Sequence, residues 1–236
     1  MILYVNGDSH TAGAEAVNPH AFAEDDPFLN YLGRLPHPAN LAVSWGKKMA
    51  DIAKFGFQCD AESAASNQRI IRTTRHWLSQ RPRAAENSLL IIQWSTWERQ
   101  EWLVDGVYYQ VNASGADHIP EGHQQTYKKY IADIDWYDVC VKAHKMIWDF
   151  HQELQQQQIP HVFFNGNTAL EEIPLDQRHN WGSSYMEPYN AKMTYSQWLL
   201  NNGFETVSPD SWHFGKEAHS AWASFMLQYI VKHKLI

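Results

Sequence analysis

The chain has 236 residues, 44% hydrophobic and 19% charged, which suits a single globular domain and excludes a disordered tail. A formal net charge of −7 argues against a nucleic-acid partner, which would call for a basic stripe. No apolar run approaches the ~20 residues of a membrane span, and the first residues lack a basic flank or cleavage site, so a cytoplasmic protein with no membrane partner is expected.

Ile2-Leu3-Tyr4-Val5 reads as a short buried strand, followed at once by the polar segment Asn6-Gly7-Asp8-Ser9-His10. Residues 14–40, with four prolines and scattered acids, predict a long irregular insertion. Apolar residues at helical spacing (Leu41, Val43, Trp45, Met49, Ile52) predict a helix to Lys54, and residues 55–59 a second strand. A helix with Ser66 or Asn67 as N-cap follows.

Ser88-Leu89-Leu90-Ile91-Ile92-Gln93-Trp94 is the clearest strand, a continuous apolar run of the kind a parallel sheet covers on both faces. A second insertion is expected over 104–125 and one long helix over 127–157, stopped by Pro160. Residues 161–166 read as a strand, 167–190 as a third insertion, 191–201 as a helix, 204–207 as a short last strand and 216–234 as the closing helix. Alternating strand and helix patterns without internal repeat predict one α/β domain over 1–236, a three-layer α/β/α sandwich with a mostly parallel five-stranded sheet. The three insertions then fall on the carboxyl-end face, where open α/β sheets keep their ligand crevice.

Chemistry gathers at the two ends of the chain. Ser9 stands just past the first strand, beside Gly7, which permits a sharp turn. Near the other end, Asp210-Ser211-Trp212-His213 places a carboxylate three residues before an imidazole, close enough to hold it in one tautomer. A Gly-Asp-Ser after the first strand, with Asp-x-x-His before the last helix, resembles the SGNH (GDSL-type) hydrolase family, as a divergent member. The resemblance implies a flavodoxin-like fold, Ser9 as nucleophile and backbone oxyanion donor, His213 as general base and Asp210 as its orienter.

Two other blocks depart from the family's pattern. Ala64, in Ala64-Ala65-Ser66-Asn67-Gln68-Arg69, stands where the family has a glycine whose N–H points at the oxyanion; alanine keeps that geometry where φ is negative. The family's third-block asparagine is missing from Trp94-Ser95-Thr96-Trp97, which leaves Thr96 or Asn67 as side-chain oxyanion donors. Trp94, Trp97 and His10, which takes the place of the commoner leucine, are expected against the substrate, with the core as the alternative for the two tryptophans.

Thirteen histidines invite a metal, but there is no His-Glu-x-x-His and no cysteine pair at zinc spacing, so neither metal nor cofactor is expected. Cys59 and Cys140 suit reduced thiols. The expected function is a serine esterase acting through an acyl-enzyme on a small-molecule or glycan ester. Tyr108, Tyr109, Trp181, Tyr185 and Tyr189 in the insertions tilt the reading toward sugars. The alternatives are a non-catalytic carbohydrate-binding module on a degenerate hydrolase scaffold, favoured by the missing asparagine, and an acyltransferase using the same residues.

Overall fold

Four runs rich in Val, Ile, Leu and Phe pair side by side. In the computed structural model, which describes residues 1–22, 35–113 and 119–235, β1 (Ile2–Asn6), β2 (Gly56–Cys59), β3 (Ser88–Trp94) and β6 (His161–Asn165) form a parallel sheet in the order β2-β1-β3-β6. Ile2 lies opposite both Gly56 and Ser88, and Leu90 opposite His161. A separate antiparallel pair, β4 (Gln100–Val104) and β5 (Val107–Val111), lies in the second insertion. Its turn is Asp105-Gly106, both with positive φ (50° and 81°), the backbone a tight hairpin demands. The Asp-Gly pair between two strand-like runs is a legible hairpin signal that the reading of 104–125 as irregular passes over.

In chain order the helices are α1 (Ser9–Ala12), α2 (Pro38–Leu41), α3 (Trp45–Ala53), α4 (Asn67–Ser79), α5 (Ala84–Asn87), α6 (Gln124–Ala132), α7 (Trp136–Gln156), α8 (Tyr195–Asn201) and α9 (Lys216–Lys232). Strand alternation splits the core in two. Leu3, Val5, Leu89, Ile91, Val162 and Phe164 pack with Trp45 and Met49 of α3 and with Trp222 and Met226 of α9. Tyr4, Leu90, Ile92 and Phe163 pack with Ile70 of α4 and with Ile147 and Phe150 of α7. The sheet is thus covered by helices on both faces, and β3 is buried along its whole length, apolar from Leu89 to Ile92.

Three expectations change. Instead of a fifth strand, residues 204–207 contribute only a single antiparallel bridge, Thr206 to Phe214, and the outer edge of β6 meets one bridge at Tyr185. The helix expected over 127–157 is two helices, because Asp135 accepts a hydrogen bond from Asp138 N (3.1 Å) and caps α7 afresh. The helix expected from Leu41 starts as α3 at Trp45, capped by Ser44. Ser66 caps α4, as expected. Of the first insertion, residues 23–34 lie outside the described residues, as do 114–118 of the second. Among the described residues no helix is long and apolar enough to cross a membrane.

Candidate active site

β1 and β3 are the neighbouring strands at which the strand order reverses, the place where open α/β sheets keep their ligand crevice. The turn after β1 fills it tightly. A Cβ on Gly7 would stand 2.5 Å from Thr11 Oγ1 and 2.8 Å from Gln93 Oε1, so only glycine fits. Asp8 caps α1: Oδ1 accepts from His10 N (3.1 Å), and Oδ2 accepts from Ser95 Oγ (2.9 Å) and Arg99 Nη1 (3.0 Å), both just beyond β3. Burial alone would raise the Asp8 carboxyl, but the His10 imidazole and the Arg99 guanidinium beside it, with hydrogen bonds from Gln93 and the His10 backbone, reverse this and hold it below the usual carboxylate range. Asp8 therefore serves as a buried rivet between β1 and β3, and it sets Ser9 at the start of α1.

The far end of the chain returns to this turn. The arm from Thr206 to Phe214 doubles back on itself, with Val207 N donating to His213 O (2.9 Å). The His213 ring lies 5.5 Å, edge to face, from the ring of His10. Its Nδ1 lies 3.1 Å from Glu15 Oε2, an ion-pair distance, although off the line of a straight hydrogen bond. Ser211 Oγ donates to the same Glu15 oxygen and accepts from His213 N. Asp210 is exposed in the turn of the arm and makes no contact with His213. The Asp-x-x-His spacing calls for the chain to turn the carboxylate onto the imidazole, whereas on this arm Ser211 and His213 face Glu15 and Trp212 is 80% exposed. Asp210 is thereby displaced from the place expected of it.

The model of a family of unknown function, DUF6071, matches residues 31–154, just over half of the chain. The chain belongs to this family. No curated protein matches. Similar solved structures include a member of the lipolytic G-D-S-L family from Veillonella parvula DSM 2008 (12% identity, 97% of each chain, TM-score 0.44). Others are the psychrotrophic esterase EstA from Pseudoalteromonas sp. (11%, 98% of this chain and 97% of that one, TM-score 0.44) and an acetyl xylan esterase from the rumen bacterium Butyrivibrio proteoclasticus (11%, all of this chain and 65% of that one, TM-score 0.45). The DUF6071 match contains Ala64, Asn67 and Thr96 but neither Ser9, Glu15 nor His213.

In this DUF6071 chain the remaining expected site residues are placed as follows. Ser9 is buried at the N-terminal end of α1, and its hydroxyl makes no hydrogen bond to His213 among the described residues. His10 is buried, its Nε2 3.0 Å from Asn167 Oδ1, and burial pushes it down to about 4, so it is neutral at pH 7. Ala64 has φ +65°, so the condition of a negative φ is not met and the loop holds the left-handed backbone that a glycine would adopt freely. That loop is tied to the Gly7-Asp8-Ser9 turn by Glu62 N to Gly7 O (3.2 Å) and braced by the buried Arg69–Glu62 pair (2.5 Å). Neither the Ser9 nor the Ala64 N–H donates to another described residue.

Both expected side-chain oxyanion donors are committed elsewhere. Thr96 Oγ1 donates to Glu98 (2.9 Å). Asn67 is locked to the backbone of Ser95, accepting from its N–H (2.8 Å) and donating to its carbonyl (3.2 Å). Trp94 and Trp97 are core residues. Trp181 and Tyr185 are core too, Tyr108 lies under the Arg72 guanidinium at 3.9 Å, and the Tyr189 hydroxyl accepts from Trp181 Nε1 (2.8 Å). Trp181 and Tyr185 therefore pack the core and do not line a cleft. The residues not singled out by the sequence reading are Glu15, Ser211, Ser95, Arg99 and Asn167; Ser211 and Ser95 stand inside the quoted blocks, and all five are found only by their contacts. Among the described residues no group of three or more His, Cys, Asp or Glu could hold a metal ion.

Proposed function

We propose that this chain is a serine hydrolase that cleaves an ester, with Ser9 as nucleophile and His213 as general base. The observation that carries this reading is the return of His213 to the nucleophile turn, with its Nδ1 3.1 Å from a carboxylate and its ring against that of His10. A serine needs a positioned imidazole to take its proton, and that imidazole needs its other nitrogen held. Unliganded sites often show such contacts long or misaligned until substrate tightens them.

In the proposed cycle Ser9 Oγ attacks the ester carbonyl while its proton passes to His213. The C–O bond to the alcohol breaks, and the alcohol leaves with that proton. Water then attacks the acyl-enzyme, gives a proton to His213 and releases the acid, and Ser9 recovers its proton. With Thr96 and Asn67 engaged elsewhere, the backbone N–H groups of Ser9 and Ala64 are the donors for the oxyanion. The same engagement favours the second reading, a binding module on a hydrolase scaffold, because a lost side-chain donor typically costs about 10²–10³ in rate. Hydrolysis of acetyl and longer p-nitrophenyl esters, with Ser9→Ala as control, separates the two: equal rates for wild type and variant would remove the hydrolase reading.

A further inference from the structure

We infer that Glu15, and not Asp210, is the carboxylate that orients the His213 imidazole for reaction. The inference rests on His213 being the base of the proposed hydrolase. Glu15 Oε2 is 3.1 Å from His213 Nδ1, the nitrogen that faces away from a serine when Nε2 is the proton acceptor. Ser211 ties the two together, its hydroxyl donating to Glu15 and accepting from the backbone N–H of His213. Removing Asp210 from consideration takes one observation, its exposure in the turn of the arm.

The backbone of Glu15 adds an independent mark. Its φ is +62°, a left-handed conformation that L-residues other than Asn and Asp rarely adopt, and such outliers gather where function over-determines geometry. It follows Gly13, also left-handed at +73°, which ends α1, and Ala14 N and Ala16 N bond back to Ser9 O and Gly13 O (2.9 and 3.0 Å). Nucleophile and carboxylate are thus mounted on one short, folded piece of chain, six residues apart, and the arm brings only the imidazole. Partial burial would raise the Glu15 carboxyl, but the hydrogen bond from Ser211 and the His213 imidazole at ion-pair distance hold it below its usual range and keep it ionised.

The test compares Glu15→Gln with Asp210→Asn in the full chain, with p-nitrophenyl acetate as substrate. Glu15→Gln should lower kcat about 10²–10⁴-fold, as loss of an orienting carboxylate does elsewhere, with KM within about threefold. Asp210→Asn should stay within about twofold of wild type. A near-normal Glu15→Gln, or an equal loss in Asp210→Asn, would overturn the assignment.

A second readout does not depend on esterase activity. The imidazole Nδ1 proton held by a carboxylate gives a low-field proton NMR resonance. It should be present in wild type, Ser9→Ala and Asp210→Asn and absent from Glu15→Gln. Its absence from wild type, or its persistence in Glu15→Gln, overturns the role of Glu15 even if the hydrolase reading has failed on its own test. Should Glu15→Gln not fold, Ser211→Ala, which frees the carboxylate without removing it, should lower kcat about tenfold; an unchanged kcat would count against the assignment.

Discussion

Two regions of this molecule concentrate histidine, and they differ in what faces the rings. At the carboxyl ends of the strands, His213 sits on a partly exposed arm with the Glu15 carboxylate on its Nδ1. On the face covered by α7, His144, His151, His161 and His179 stand among Trp148, Trp181 and Tyr189 and mostly against each other. His151 Nδ1 is 2.8 Å from His161 Nε2, whose ring bonds on to the Ile159 carbonyl (2.7 Å), and His144 meets the Tyr189 hydroxyl (3.0 Å). No carboxylate is hydrogen-bonded to any of these four rings among the described residues. Burial, reinforced by the neighbouring imidazoles of His179 and His161, pushes His144 and His151 down to about 4, and burial does the same to His161. The same side chain is a flat, hydrogen-bonding core residue in one place and, in the proposed mechanism, a proton carrier in the other, and the counter-charge makes the difference.

The largest effect that would sharpen this contrast is on turnover. Ser9→Ala and His213→Ala should each lower kcat on p-nitrophenyl acetate about 10³-fold or more, because either half of a coupled pair costs nearly as much as both. His151→Gln should leave kcat within about threefold. Comparable losses in His213→Ala and His151→Gln would erase the distinction between the two regions.

Stability should respond in the opposite sense. The folded protein holds His144, His151 and His161 neutral down to about pH 4, whereas in the unfolded chain they protonate near ~6.5. Between those limits the unfolded state binds more protons, so this contribution to stability is complete above pH ~6.5 and is lost as pH falls toward 4. Urea midpoints at pH 5 and 7.5 should therefore differ, and the difference should shrink in His151→Gln. An identical pH dependence in the variant would contradict the values assigned to the cluster.

Much of the sheet was legible because its strands are buried on both faces: β1, β3 and β6 are apolar runs, and Ser66 announces α4 as a cap. Ser9 and His213, the proposed pair, are picked out by the sequence because each lies in a short block beside a predicted element. Glu15 is not. It sits six residues after Ser9 in an acidic, proline-containing stretch without periodicity, its left-handed backbone carries no glycine to announce it, and its role appears only when an arm almost 200 positions away folds over it. Asp210 is set aside for a related reason: a spacing of three brings two side chains together only where the chain turns between them, and here Asp210 stays exposed while Ser211 and His213 face Glu15. The aromatic insertions misled in the opposite direction: a ring such as Trp181 or Tyr185 has the same signature in a cleft and in a core.

The smaller effects concern the oxyanion side. Ala64→Gly should raise stability by about 0.5–1 kcal/mol, the relief of a left-handed alanine less the entropy of glycine, with activity kept. Chemical denaturation checks it, and a loss of stability would mean that the methyl group matters more than the strain. Thr96→Val should change kcat less than about twofold, since its hydroxyl is spent on Glu98 and an oxyanion donor would cost ten times that or more. A loss of about 10²-fold would return Thr96 to the site.

The most direct measurement is the mass of the protein after reaction with a fluorophosphonate, which bonds only to an activated serine. One adduct should form, on the peptide that carries Ser9. It should be absent from Ser9→Ala and strongly slowed in His213→Ala. An unlabelled wild type, or an adduct that survives Ser9→Ala, would contradict the account.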